Sequence, residues 1–137
     1  MSSEQQQRPY GTGDASYQAA GGFEGICQLV EDFYQAMDTL PEAEPIRAMY
    51  PDELTDAKDR LACFLSGWLG GPRRYSEKYG SIAIPVFHRQ FAIDAERRDA
   101  WLACMRVSAA KQPYAEDFRR YLLEQLYVPA ERCRNIS

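Results

Sequence analysis

The chain has 137 residues, 45% of them apolar, and its 16 Lys and Arg against 20 Asp and Glu give a formal net charge of −4 at pH 7. A chain of this length forms one domain and buries a core without needing a metal or disulfide to hold it together. The mild acidity argues against nucleic-acid binding, and no apolar stretch approaches the ~20 residues of a membrane span.

The N-terminal residues differ in composition from the rest of the chain. Residues 1–17 are rich in Gln, Ser and Gly, so we expect a flexible or weakly ordered extension ahead of one domain at 18–137. No apolar core follows Met1, so we expect no secretory signal, a cytoplasmic location, and neither a nucleic-acid nor a membrane partner. Four cysteines without a Cys-x-x-Cys pair are interpreted as reduced thiols.

Apolar residues at helical spacing predict the first two long helices. The first begins at Gly22 and ends near Pro41, and a short connector continues to Pro51. The second ends at the Gly70-Gly71 pair, which we interpret as a helix terminator. Its apolar residues, predicted to share one face, are Leu54, Ala57, Leu61, Phe64, Leu65 and Trp68.

The second half of the chain predicts two more helices. Residues 73–93 have no sustained period, which indicates a loop with room for one short helix. Asp94 is placed to cap a third helix that Pro113 ends, and a fourth is expected to stop before Pro129. No segment alternates with period two, so the predicted fold class is all-α.

His88 is the single histidine of the chain and lies among large apolar residues. Multi-histidine zinc sites are therefore excluded, and no phosphate loop or serine-hydrolase elbow is present. A lone histidine in such surroundings commonly just hydrogen-bonds a carbonyl group. Haem, however, needs only one axial imidazole and an apolar slot.

Five sequence blocks carry a specific resemblance. They are Phe33-Tyr34, Arg47-Ala48-Met49-Tyr50-Pro51, the stretch from Phe64 to Pro72 with Tyr75 and Glu77 beyond it, His88-x-x-Phe91-x-Ile93, and Arg98-Asp99-Ala100-Trp101-Leu102-x-Cys104-Met105. In this order they resemble a group II truncated haemoglobin over residues 21–128. The resemblance implies a two-over-two α-helical sandwich around haem b.

The resemblance also implies a role for individual residues. It makes His88 the proximal iron ligand. On the distal side it places Tyr34, Tyr50, Leu61 and Trp101, with Ala57 where many globins have a distal histidine. Around the haem it implies contacts from Arg60, Phe64, Tyr75, Phe91, Ile93 and Met105, of which Arg60 and Tyr75 reach the propionates.

Alternatives exist for several of these residues. Tyr34 and Trp101 are also the aromatic residues that an ordinary helical core would contain, and Arg60 and Tyr75 suit an exposed surface equally well. The chain departs from the family before the proximal histidine, where residues 80–87 lack the usual Gly-His-Pro and two following arginines. The cations available to replace those arginines are Arg74, Lys78 and Arg89.

The function implied by the resemblance is binding of O2, CO, NO or other small ligands at ferrous haem. NO dioxygenation, detoxification of other reactive species and peroxidase-like turnover are further activities, and they would require an unidentified reductase. The alternative is a non-enzymatic helical protein-interaction module without a cofactor, which explains amphipathic helices equally well.

Overall fold

The computed structural model describes residues 9–80 and 94–133, and these ranges contain helices and turns but no strand. This confirms the all-α prediction. None of the helices within these ranges is long and apolar enough to cross a membrane. The helices are α1 (Ala15–Ala19), α2 (Gly22–Thr39), a 3-10 turn (Pro41–Ala43), α3 (Glu44–Arg47), α4 (Thr55–Trp68), α5 (Arg74–Tyr79), α6 (Ala95–Ala110) and α7 (Glu116–Cys133).

Two pairs of helices build the core. α2 packs on α4, α6 packs on α7, and α2 also lies against α6, which joins the pairs into a two-over-two sandwich. The centre of the core is formed by Phe33, Leu65, Met105 and Phe118, each fully removed from solvent. The short α5 lies against α4 at the edge of this arrangement.

The end of α4 is the helix terminator predicted from Gly70-Gly71. Gly70 adopts φ +92°, a left-handed conformation that side chains with a Cβ rarely adopt. Its N–H donates to the Gly67 carbonyl at 3.0 Å, and the Gly71 N–H donates to the Ser66 carbonyl at 2.8 Å. These two bonds satisfy carbonyl groups that the end of the helix would otherwise leave unpaired.

Residues 9–17, which composition predicts to be part of a flexible extension, lie against the helical domain. The Tyr17 N–H donates to the Leu69 carbonyl at 3.0 Å, and its ring approaches Gly71 so closely that a Cβ there would lie 2.2 Å from it. The Tyr10 hydroxyl donates to Asp117 on α7 at 2.8 Å. Gly71 thus also accommodates an aromatic ring, and the domain boundary at residue 17 stays a prediction.

The prediction that the last helix stops before Pro129 is wrong. α7 continues through Pro129 to Cys133. Proline removes one backbone donor from the helical ladder, and that loss does not unfold the residues that follow when other contacts hold them. Glu131 supplies such a contact, because it pairs with Arg98 on α6 at 2.5 Å.

The predicted apolar face of α4 is only partly the face that is buried. The buried residues inside the helix are Ala62, Cys63, Leu65 and Ser66, and Leu54 just before it is also buried. Four residues of the predicted stripe pack against the core yet keep part of their surface in solvent. These half-buried residues are Ala57, Leu61, Phe64 and Trp68.

Candidate functional site

Tyr34, Tyr50 and Trp101, three predicted distal residues, belong to one aromatic cluster. Tyr34 on α2 is 3% exposed, and its ring meets Tyr50 edge to face with centroids 5.7 Å apart. Phe33 joins Tyr34 to Trp101 on α6, with centroid distances of 4.9 Å and 5.0 Å. Edge-to-face packing of this kind favours fixed ring orientations. Three separate chain segments therefore hold the cluster in place.

The Tyr34 hydroxyl is held in its protonated form. Burial, followed by the charge and hydrogen bond of the Tyr50 side chain, raises the pKa of Tyr34 well above its ordinary value, although Arg47 opposes the shift. A neutral phenol can donate its O–H, whereas a phenolate can only accept. Tyr34 accordingly keeps the proton that a hydrogen-bond donor needs, within a hydrogen bond shared with Tyr50.

Arg47 fixes the turn that carries Tyr50. Its Nε pairs with Asp38 on α2 at 2.6 Å, while its two terminal nitrogens donate to the carbonyls of Pro51 at 3.1 Å and Asp52 at 3.3 Å. The arginine thereby binds the turn to the helix that presents Tyr34. Arg47 stands in the same sequence block as Tyr50, but spacing alone assigned no role to it.

A half-buried apolar surface on α4 adjoins the core. Leu61, Phe64 and Trp68 are each partly exposed although they pack on buried neighbours, and the Phe64 and Trp68 rings stack at 6.2 Å. On α6, Met105 is fully buried and Trp101 is half-buried. The partly exposed side chains, which are large and apolar, suit contact with a flat hydrophobic cofactor. The residues present therefore fit haem.

The two residues predicted to reach the haem propionates, Arg60 and Tyr75, lie together between α4 and α5. The pKa of Arg60 is raised chiefly because its guanidinium donates to Asp56 at 2.7 Å, and a hydrogen bond with Tyr75 adds to the effect. The Arg60 guanidinium also lies 4.2 Å from the centre of the Tyr79 ring. An arginine and a phenol side by side are a pair of donors suited to a carboxylate.

The replacement cations proposed from the sequence are occupied with other partners where the structure describes them. Lys78 pairs with Asp59 at 2.8 Å, and the Arg74 guanidinium lies 4.0 Å from the centre of the Phe23 ring. Arg89 lies outside the described residues. Arg60 is likewise paired, with Asp56, so every described cation considered for the propionates already has a partner, and the role of Arg60 and Tyr75 stays a prediction.

The proximal side of the predicted site lies outside the described residues, since His88, Phe91 and Ile93 all fall within 81–93. The structure does describe the residues that flank this range, Gly80 and Asp94. Gly80 follows α5, and the Asp94 carboxylate accepts a hydrogen bond from the Arg97 backbone N–H at 2.9 Å, as expected for the predicted cap of α6.

Comparison with known proteins gives a consistent result. The sequence model of the family described as bacterial-like globin matches residues 15–129. The chain is 34% identical over 122 residues to Group 2 truncated hemoglobin YjbI of Bacillus subtilis, covering 89% of each protein.

Solved structures show the same similarity. A cold-adapted truncated haemoglobin from Pseudoalteromonas haloplanktis superposes with a TM-score of 0.85 at 30% identity, covering 89% of this chain and 98% of the other. The group II truncated haemoglobin of Bacillus anthracis gives 0.81 at 30% identity, with 94% and 93% covered. The oxygen-avid truncated haemoglobin of B. subtilis gives 0.79 at 33% identity, with 88% and 98% covered.

Proposed function

The chain belongs to the bacterial-like globin family, as a group II truncated haemoglobin and hence a haem-based oxygen-binding protein, and from this premise we propose that it binds haem b through His88. In this proposal the Tyr34, Tyr50 and Trp101 side chains surround the small ligand on the opposite side. Family membership favours this function over a helical interaction module without a cofactor.

The buried Tyr34 hydroxyl beside Tyr50 carries the proposal. A buried phenol that stays protonated, with its ring packed edge to face against a second phenol, is a donor whose position is fixed before a ligand arrives. A ferrous haem, when bound, supplies the iron to which O2, CO or NO attaches. Each hydrogen bond donated to a partly charged ligand contributes about 1.5–3 kcal/mol. Tyr34, Tyr50 and the Trp101 indole would in this way slow ligand release.

Other residues would hold the cofactor and shape the space around it. Leu61 and Ala57 line the distal side, and Ala57 leaves room for ligand entry because its side chain is a single methyl group. The apolar faces of the porphyrin would rest on Phe64, Phe91, Ile93 and Met105. Arg60 and Tyr75 would donate to the propionates, which their present proximity supports.

Absorption spectra of the oxidised, dithionite-reduced and CO-bound protein test the haem assignment. We expect an intense Soret band that shifts on reduction and again with CO, and that is lost or altered in His88→Ala because the axial imidazole is removed. A chain that takes up no haem would overturn the assignment. A spectrum unchanged in His88→Ala would overturn the role of His88 alone.

The distal donors are tested by the rate of O2 release. Tyr34→Phe and Trp101→Phe are each expected to speed release about tenfold or more, because each loses a donor bond of this strength. Tyr114→Phe is the matched control, since the Tyr114 hydroxyl is also buried but has no hydrogen-bond partner and lies between α6 and α7. Release rates equal to wild type in both distal variants would remove the distal network from the proposal.

We extend the proposal to NO dioxygenation and peroxidase-like removal of reactive species, in the cytoplasm and with a reductase that keeps the iron ferrous. The donor cluster supports it, because fixed donors that slow O2 release also hold O2 in place for reaction with NO. Mixing the oxygenated protein with NO should give nitrate stoichiometrically. Simple displacement of O2 by NO would restrict the function to ligand binding.

A further inference from the structure

α5 is the one helix longer than five residues in the described ranges that contains no buried residue. Its six residues cannot form a stable helix alone, because helices shorter than about 12 residues are marginal in water. Full burial of apolar side chains therefore does not fix its position, although Tyr75 and Tyr79 are half-buried. Most of its contacts come from α4, and Arg74 at its start also lies over the Phe23 ring of α2.

Asp59 on α4 is the centre of these contacts. Its Oδ2 atom accepts hydrogen bonds from the Lys78 ammonium at 2.8 Å and from the Tyr79 hydroxyl. The Cys63 thiol on the same helix is a third and weaker donor, 3.8 Å away. Two adjacent residues at the end of α5 thus converge on one carboxylate oxygen of α4.

The neighbouring Arg60 holds the other part of the Tyr79 side chain. Its guanidinium lies 4.2 Å from the ring centre, a distance at which a cation and an aromatic face attract each other. The Tyr75 and Tyr79 rings also contact each other, 5.1 Å apart. Asp59 at the hydroxyl and Arg60 at the ring together restrict both the position and the rotation of Tyr79.

Tyr79 lies at a point that matters for the proximal side. It is the last residue of α5, Gly80 follows at φ +88°, and His88 comes nine positions after Tyr79. At the far end of 81–93, the Asp94 side chain caps α6. Fixing the two ends of a connecting segment reduces the conformations it can adopt, so less entropy is lost when its histidine is oriented.

We propose that Asp59 is a positioning residue, which gathers Lys78 and Tyr79 and so fixes the end of α5 from which the chain leads to His88. The inference rests on the proposed function, because it assumes that His88 binds the haem iron. Asp59 itself touches neither the ligand nor the cofactor in this proposal. It acts on the proximal side although it belongs to the helix that lines the distal side.

The test compares Asp59→Asn with Glu31→Gln in the full-length protein. Both variants remove one carboxylate charge that is paired with a lysine, but Glu31 pairs with Lys58 at 3.0 Å and makes no contact with α5. Hydrogen exchange of the amides of residues 78–80 is measured before and after haem addition. Asp59→Asn should speed that exchange about fivefold, as expected for loss of a partly exposed charged contact, and Glu31→Gln should not.

Two measurements on the haem-loaded protein report the orientation of the histidine. The iron–histidine stretching band of the ferrous form should shift or broaden in Asp59→Asn, and transfer of haem to an acceptor globin should be about fivefold faster. Neither should change in Glu31→Gln. A variant that only lowered the overall stability, without exposing α5 locally, would speed haem loss but leave the frequency of the stretching band unchanged.

Tyr79→Phe provides a second variant that removes only the hydroxyl and keeps the ring on Arg60, so the test survives if Asp59→Asn does not fold. In a double-mutant cycle the two changes should be less than additive, because Asp59→Asn weakens the charge-assisted hydrogen bond that Tyr79→Phe removes. Equal exchange at 78–80 in Asp59→Asn and Glu31→Gln overturns the proposal. Faster exchange with an unchanged stretching band overturns it too, whether or not haem loss changes.

The outcomes separate this inference from the proposed function. A wild-type chain that takes up no haem overturns the function, and with it the positioning of an iron-binding histidine. The exchange measurement without haem would in that case still establish whether Asp59 holds α5. Normal haem uptake with no difference between the two carboxylate variants overturns the positioning role and leaves the function intact.

Discussion

α2 and α5 both pack against α4, and different forces hold them there. α2 buries a stripe of large apolar residues, whereas α5 buries none and contacts Asp59 and Arg60 through polar and aromatic side chains. Burying one large aliphatic side chain contributes about 1.5–3 kcal/mol, whereas an exposed ion pair contributes about 0–1 kcal/mol. The residues proposed for the distal side therefore stand on a support held by apolar burial, whereas α5, from which the chain leads to His88, is held by weaker polar and aromatic contacts.

The largest expected effect is a loss of stability when the apolar contact of α2 is removed. Leu29→Ala should lower the free energy of unfolding by about 2–5 kcal/mol, because Leu29 is fully buried and its loss leaves a cavity. Glu77→Ala on α5 is the control, since Glu77 is exposed, and it should change stability by less than about 0.5 kcal/mol. Urea unfolding measures both. A cost near that of Glu77→Ala would contradict the rigid role of α2.

A second prediction concerns the N-terminal segment that packs at the end of α4. Gly70→Ala should cost about 3 kcal/mol, because a Cβ there would lie 1.9 Å from the Gly13 carbonyl oxygen and the left-handed backbone adds strain. Gly22→Ala isolates the backbone contribution, since Gly22 has φ +70° and no atom close to its Cβ position. It should cost about 1 kcal/mol. Unfolding free energies that agree between the two variants would show that residue 13 does not lie against α4.

The smallest expected effect is the pH dependence of the stability that Asp59 contributes through its contacts with α5. The hydrogen bonds from Lys78 and then Tyr79 hold the pKa of Asp59 below its ordinary value of 3.8. Its stabilising effect is therefore complete above that ordinary value and is lost as the pH falls through the lower folded pKa. Because Asp59 is partly exposed, the effect should stay under about 1 kcal/mol.

Denaturation of wild type and Asp59→Asn at pH 7 and pH 2.5 measures this contribution. The difference in unfolding free energy between them should be present at pH 7 and shrink at pH 2.5. The groups that interact with Asp59 are Lys78 and Tyr79 from α5, Cys63 from its own helix and Cys27 from α2, and none of them changes charge in that range. A difference that grows on acidification would show that Asp59 is not the group responsible.

Sequence reasoning located the long helices because their ends carry local signals. The Asp94 cap and the Gly70 terminator act through bonds to backbone groups only a few residues away, so the sequence near each end suffices to predict it. The helix end predicted at Pro129 was wrong because proline removes only one backbone hydrogen bond. The contact that holds the residues after it, between Glu131 and Arg98, involves a distant part of the chain.

For the candidate site, the sequence supplied residues and the fold supplied their proximity. The resemblance named Tyr34, Tyr50 and Trp101, but their meeting around Phe33 depends on three elements that pack together. Nothing in the spacing assigned a role to Arg47 or Asp59. Both act through contacts with residues whose placement is set by tertiary packing.

The sequence by itself determined that this is an all-α chain of the group II truncated haemoglobins, because helical periodicity, caps and family blocks are all patterns of residues close together in the sequence. Only the tertiary structure decided which face of α4 is buried, why Gly71 carries no side chain, and which carboxylate holds α5. The physical reason is that an amphipathic pattern specifies that a face will be covered, whereas the partner that covers it is chosen by long-range packing.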